Sequence, residues 1–186
     1  IKQFEETGDH EFIFGYEESY GYLIGTHSRD KDAIVAAMVL CEAAAYYKSL
    51  GVTLYQQMMS IFEKYGYYKE ETVAVTFEGI EGIEKIKSIT ENYRKNPPKK
   101  AGGYNILRCR DYLADTITDV KTGEVTTTGL PKSDVLYYEM NDDAWCAVRP
   151  SGTEPKIKFY FGVKGSSSED ASERLNRLMS DKVFKV

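Results

Sequence analysis

The chain has 186 residues, 42% hydrophobic and 28% charged, with a formal net charge of −5. That is enough for a real core in one domain or two small ones, and the acidic balance argues against a nucleic-acid or anionic-membrane surface while leaving room for a local basic pocket. No apolar run approaches the roughly 20 residues needed to cross a bilayer, and Ile1-Lys2-Gln3-Phe4-Glu5-Glu6 has neither the basic start nor the apolar stretch of a signal peptide.

Glu11-Phe12-Ile13-Phe14-Gly15 is a short apolar run ending at glycine, which predicts a buried strand. A polar, glycine-containing loop follows from Tyr16 to about Arg29. Asp30-Lys31-Asp32 then opens a long Ala-rich helix running to Gly51, with acids at its start and glycine just past its end. Thr53 followed by Gln56 is a capping-box pattern for a second helix. Leu54, Met58, Ile61, Phe62 and Tyr65 share one face of it, and Gly66 stops it. One strand cannot form a sheet that covers two helices. This half therefore reads as incomplete, and with no initiator Met the chain is expected to be the later part of something longer.

The second half reads as self-sufficient. Thr72 to Phe77 alternates like a strand. Ile80, Ile83, Ile86, Ile89 and Tyr93 predict a helix ended by Asn96-Pro97-Pro98. Strands are predicted around Tyr104–Cys109, Val135–Met140, Ala144–Val148 and Lys156–Val163, and a final helix from near Ser167 carries Ala171, Leu175, Leu178 and Met179 on one face. The expected fold class is α+β: an incomplete mixed unit at residues 1–68, then at 69–186 an antiparallel sheet packed with two helices. Cys41, Cys109 and Cys146 are odd in number and widely spaced, so they read as small buried hydrophobes in a reducing compartment. A cytoplasmic location follows as the default.

Two strings carry chemistry. In Arg149-Pro150-Ser151-Gly152-Thr153-Glu154-Pro155, Arg149 offers a bidentate fork for a phosphate, and Ser151 and Thr153 add hydroxyls. Gly152 lets backbone N–H groups close on an anion, and the prolines stiffen the loop. Lys158, on the strand face opposite Ile157 and Phe159, is a second cation near it. By itself this string also reads as a hairpin turn punctuated by Pro and Gly. In Gly15-Tyr16-Glu17-Glu18-Ser19-Tyr20-Gly21, adjacent carboxylates and a serine can accept hydrogen bonds from several sugar hydroxyls. A general acid/base pair is the weaker reading, because neighbouring side chains diverge; a solvated acidic turn is the plain one. Arg29 and Lys31 at the helix start can point back toward an anionic ligand. His27 lies in the intervening loop, and neither it nor His10 has metal-ligand spacing.

Taken together, GYEESYG, RDKD opening a helix, and RPSGTEPKIKFYF resemble the α-D-phosphohexomutase superfamily in kind and order, above all its bacterial phosphoglucomutases and phosphomannomutases. The resemblance implies a sugar-binding third domain and a phosphate-binding fourth. It makes Glu17 and Ser19 hexose-hydroxyl ligands with Lys31 nearby, and Arg149, Ser151, Gly152, Thr153 and Lys158 phosphate ligands. The family's phosphoserine and its Mg2+ loop are absent from these residues, so no catalytic or metal-ligating residue is assigned here. The implied reaction interconverts hexose 1-phosphate and hexose 6-phosphate through a phosphoserine and a sugar bisphosphate, with a glucose 1,6-bisphosphate-type activator. The implied partners are the hexose phosphate and the N-terminal domains of the same chain. These residues alone are expected to be inactive. A phosphopentomutase or amino-sugar phosphomutase of the same family, and a non-catalytic sugar-phosphate-binding module, stay open.

Overall fold

The structure, a computed structural model, describes residues 1–17, 20–152 and 154–184. The chain divides into two compact units, residues 1–61 and 62–186.

The first unit begins with a six-residue helix, α1 (Lys2–Thr7), which sequence periodicity did not indicate. Strands β1 (Phe14–Tyr16) and β2 (Tyr22–Ile24) pair antiparallel as a hairpin, Gly15 opposite Leu23. The predicted single strand therefore has a partner inside the stretch read as loop; a three-residue strand is too short for its alternation to register. Helix α2 (Ala33–Ser49) starts where Asp32 accepts hydrogen bonds from the Ile34 and Val35 amides, both at 3.0 Å. Helix α3 (Leu54–Tyr65) starts on the predicted capping box: the Gln56 amide donates to Thr53 Oγ1 (3.1 Å) and the Thr53 amide to Gln56 Oε1 (2.8 Å).

Neither α2 nor α3 buries a residue. Ile34, Met38, Leu40 and Tyr46 stand exposed on α2, and Leu54, Met58 and Ile61 on α3. Cys41 is exposed for the same reason, against the expectation of burial, while Cys146 is fully buried. Among the described residues no single helix is long and apolar enough to cross a membrane; α2 and α3, bent by 90° at their junction, reach that length and composition only as a pair.

The second unit is built on one antiparallel sheet. Its strands are β3 (Tyr67–Thr76), β4 (Lys100–Ala101), β5 (Tyr104–Asp111), β6 (Thr116–Asp119), β7 (Val125–Thr126), β8 (Leu136–Met140), β9 (Trp145–Pro150) and β10 (Lys156–Gly165). They lie in the order β3-β10-β9-β8-β5-β6-β7, with β4 added to β5. Strand β3 covers the stretch where the sequence reading sets its domain boundary. It is an edge strand, and its exposed Lys69-Glu70-Glu71 run discourages pairing with another chain.

The core lies on one sheet face, as alternation requires. Ile157, Phe159, Phe161 and Val163 of β10, Cys146 and Val148 of β9, and Leu136, Tyr138 and Met140 of β8 are buried there. Helices α4 (Gly79–Lys95) and α5 (Ser168–Met179) cover that face. On α5 the predicted Ala171, Leu175 and Leu178 are buried. On α4 the described buried side chains include Ile86, Thr90 and Tyr93, whereas Ile83 is 57% exposed. The cause is geometric: steps of three residues turn only 300°, so isoleucines at 83, 86 and 89 drift around the helix. A final 3-10 turn, Lys182–Phe184, buries Phe184 against Tyr93, Tyr138, Phe159 and Phe161.

Candidate functional site

The phosphate-loop residues lie at the β9–β10 connection. Arg149 ends β9 directly opposite Lys158 of β10, beside the pair Pro150 and Ile157. Since Ile157 and Phe159 point into the core, Lys158 projects from the other face, and so does the exposed Arg149. Neither cation has a carboxylate partner among the described residues; Lys158 Nζ lies 6.0 Å from the centre of the Tyr160 ring.

The loop is held from within. The Ser151 amide donates to the Lys156 carbonyl (2.8 Å), and the Glu154 amide donates to Ser151 Oγ (3.2 Å). Its base is tied to β3 by the Phe77 amide, which donates to the Pro155 carbonyl at 2.8 Å. Lys156 is engaged by Glu154 at 3.1 Å, which leaves Lys158 as the strand cation facing Arg149. A side chain at Gly152 would meet nothing within 4 Å, so the loop's own packing does not demand glycine there. Open space at that point is what an approaching ligand needs. Thr153 lies outside the described residues.

The sugar-loop residues lie at the tip of the β1–β2 hairpin. The hairpin closes where the Glu17 amide donates to the Gly21 carbonyl at 2.8 Å. Tyr20, just before that glycine, has a left-handed φ of 66° and an 88% exposed side chain. Lys31 crosses from the start of α2 to bring Nζ within 3.3 Å of Glu17 Oε2. Gly21 makes that crossing possible, because a Cβ there would lie 2.2 Å from Lys31 Cδ. The structure thus brings together Glu17 and Lys31, fourteen residues apart. Both are about half exposed, so the pair adds little stability and stays open to competing hydrogen bonds. Ser19, like Glu18, lies outside the described residues.

Asp32 and His27 form a second contact beside this pair, at 3.1 Å. The Val35 amide first, and then the His27 side chain, hold the Asp32 carboxyl below its ordinary range. The cap was readable from the acids that open the helix; its histidine partner, in an irregular loop, was not. Arg29 does not turn toward a ligand position: its Nη2 lies 2.6 Å from Glu5 Oε2 on α1. Of the two cations at the start of α2, Lys31 is the one that reaches the hairpin tip, where it pairs with Glu17.

Comparison with known proteins follows the same two halves. Residues 2–65 match the family model described as phosphoglucomutase/phosphomannomutase, alpha/beta/alpha domain III, and residues 132–177 match phosphoglucomutase/phosphomannomutase, C-terminal domain. A phosphoglucomutase of Staphylococcus aureus (strain MRSA252) is 33% identical over 179 residues, 96% of this chain and 32% of that protein. One from Staphylococcus saprophyticus is 33% identical over 174 residues, 94% of this chain and 31% of that protein. The chain therefore spans about a third of the length of the curated relatives it matches. Among solved structures, the open form of pp63/parafusin from Paramecium, an exocytosis-sensitive phosphoprotein described as a phosphoglucomutase, shares the fold. Its TM-score is 0.58 over 96% of this chain and 30% of its own, at 15% identity. Matched in order by the models of two successive domains, the chain belongs to the phosphohexomutase superfamily, as the C-terminal region of a phosphoglucomutase/phosphomannomutase.

Proposed function

We propose that this chain supplies the sugar-hydroxyl and phosphate-binding surfaces of an enzyme that interconverts hexose 1-phosphate and hexose 6-phosphate. The observation that carries this reading is the Arg149–Lys158 pair. Two cations directly opposite each other on one face of a ladder repel, and neither is neutralised by a carboxylate among the described residues. An oxyanion between them removes that repulsion and is held by charge-assisted hydrogen bonds. Ser151 and Thr153 supply further donors, and Gly152 leaves the approach clear.

The ligand is divided chemically between the two halves. Residues 1–68 serve as the later part of a sugar-binding domain, with Glu17, Ser19 and Lys31 at the hydroxyls. Residues 69–186 serve as the phosphate-binding domain. In a phosphoryl shuttle the group that is not reacting must be held while the other end is phosphorylated, and positioning of that kind contributes much of the rate. The work proposed for Arg149, Ser151 and Lys158 is to hold a phosphate without exchanging protons with it.

The magnesium expected of the family does not fit these residues: among those described, no three His, Cys, Asp or Glu side chains converge. No step here is routed through it, and the phosphoserine and metal loop are assigned to domains outside these residues. A residue-resolved NMR titration with glucose 6-phosphate tests the reading. Saturable shifts at Arg149, Ser151, Gly152 and Lys158, competed away by inorganic phosphate, are expected. Arg149→Ala should weaken binding by about 1.5–3 kcal/mol, the range for a hydrogen bond to a charged group. Unchanged affinity in that variant would reduce the loop to a turn.

A further inference from the structure

The β1–β2 hairpin closes with the Glu17 amide on the Gly21 carbonyl, so residues 18–20 make up its loop. Hairpin loops of this length ordinarily end on a residue in the left-handed region, a place that suits glycine. Tyr20 takes that place here, at a φ of 66°. Among the described residues the other non-glycine positions with positive φ are Asp115, Asp142 and Asp143. Those are aspartates, whose short polar side chains tolerate the left-handed region. Tyr20 is the bulky exception.

The packing of the hairpin does not account for that choice. Phe14 and Tyr16 stack on each other along it, with ring centroids 5.6 Å apart, whereas the Tyr20 ring is 88% exposed. A side chain held in a costly backbone conformation with no packing in return calls for a role outside the fold. Its surroundings define that role. A Cβ on Gly21 would lie 2.2 Å from Lys31 Cδ and 3.1 Å from Glu17 Oε2, so the backbone next to Tyr20 runs against the Glu17–Lys31 pair. A tyrosine ring carries a broad, rigid contact area with only two side-chain torsions to immobilise. A hexose held through its hydroxyls by Glu17 still has an apolar C–H face to cover.

We propose that Tyr20 is a specificity-determining residue of the sugar loop, its ring covering the apolar face of a hexose whose hydroxyls pair with Glu17. The inference rests on the sugar-phosphate reading above and sharpens it: the loop selects a cyclic sugar over an open-chain polyol phosphate of the same charge. Arg149 and Lys158 take no part in that choice, so sugar preference and phosphate affinity vary separately.

The test is an NMR titration of the full chain with glucose 6-phosphate, sorbitol 6-phosphate and inorganic phosphate. It compares the native protein with Tyr20→Asn, Tyr20→Gly and Tyr20→Phe. Asn and Gly both suit the left-handed turn and remove the ring, so these two variants should fold. The native chain should bind glucose 6-phosphate about three- to tenfold more tightly than sorbitol 6-phosphate, the scale of one aromatic contact. Tyr20→Asn and Tyr20→Gly should erase that preference and leave the affinity for inorganic phosphate unchanged, while Tyr20→Phe should retain both. Glucose 6-phosphate that shifts Arg149 and Lys158 yet binds the native chain and the ringless variants equally would overturn the inference and leave the phosphate site standing. No saturable shift at Arg149 or Lys158 in the native chain would overturn the underlying reading, and the inference with it.

Discussion

Gly162 of β10 stands directly opposite Trp145 of β9, and the Trp145 indole lies over it so closely that a Cβ at 162 would be 2.2 Å from Nε1. The same indole stacks on Tyr137, with ring centroids 5.5 Å apart and planes 17° from parallel. The glycine is therefore the floor on which the aromatic pair of the open sheet face rests. Gly162→Ala should push the indole off Tyr137 and destabilise the second unit by about 1–3 kcal/mol, the usual range for overpacking. Trp145 is the chain's single tryptophan, so fluorescence-detected urea unfolding reports the altered stack and the lost stability together. A native emission maximum with an unchanged midpoint would mean that the sheet absorbs the methyl.

Under the proposed function, the Arg149–Lys158 pair sets stability against phosphate binding. Removing one of two cations placed directly opposite each other relieves repulsion, an effect of roughly 0.2–1 kcal/mol for cross-strand pairs. Lys158→Met should therefore raise the melting temperature slightly in low salt while weakening phosphate binding. High salt should shrink the stability gain, because screening already weakens the repulsion in the native chain. Thermal melts at two ionic strengths, each with and without inorganic phosphate, separate the effects. A destabilised variant would show that Lys158 stays in place for packing alone.

The legible parts of this chain are those decided within a few residues. Asp32, the Thr53–Gln56 box and Ser167 each cap the helix expected of them, because a cap is a local hydrogen bond between near neighbours. The second-unit strands were visible for a similar reason: Ile157, Phe159 and Phe161 alternate with residues that face outward. Strand order was not legible, since β3 pairs with β10 across some eighty residues of intervening chain. Nor was the Glu17–Lys31 contact, which depends on Gly21 leaving room for a side chain from another element. The string proposed as a phosphate loop stands out by its residue types; the facing of Arg149 by Lys158 needed the register.

Asp170 ties the start of α5 to the turn before it. Its carboxylate accepts from Arg174 Nε (2.8 Å), from the Ser166 amide (2.8 Å) and from the Ser166 hydroxyl (3.0 Å). The Arg174 bond first, then the Ser166 amide, lowers the carboxyl from 3.8 to about 2. With the folded value below the unfolded one, the contribution is fully present above about pH 4 and is lost as pH falls through about 2. Melts between pH 5 and 2 should show part of the acid destabilisation vanish in Asp170→Asn. An unchanged pH profile in that variant would place the acid sensitivity in other carboxylates.

Phe184 is the residue on which the core closes, although it lies in a short 3-10 turn after the last helix. Its ring sits 5.7 to 6.5 Å, centroid to centroid, from Tyr93, Tyr138, Phe159 and Phe161, and it is 4% exposed. The turn is fixed by Asp181, whose carboxylate accepts from the Val183 amide (2.9 Å) and the Gly102 amide (2.7 Å). Phe184→Ala removes a ring held on four sides, and relaxation of β8 and β10 is restrained by the ladders they belong to. The expected loss is about 3–5 kcal/mol, as for other buried Phe truncations. Equilibrium urea unfolding followed by near-UV circular dichroism measures it. A loss under 1 kcal/mol would mean that the turn frays in solution and that Tyr93, whose hydroxyl donates to the Val183 carbonyl, closes the core without it.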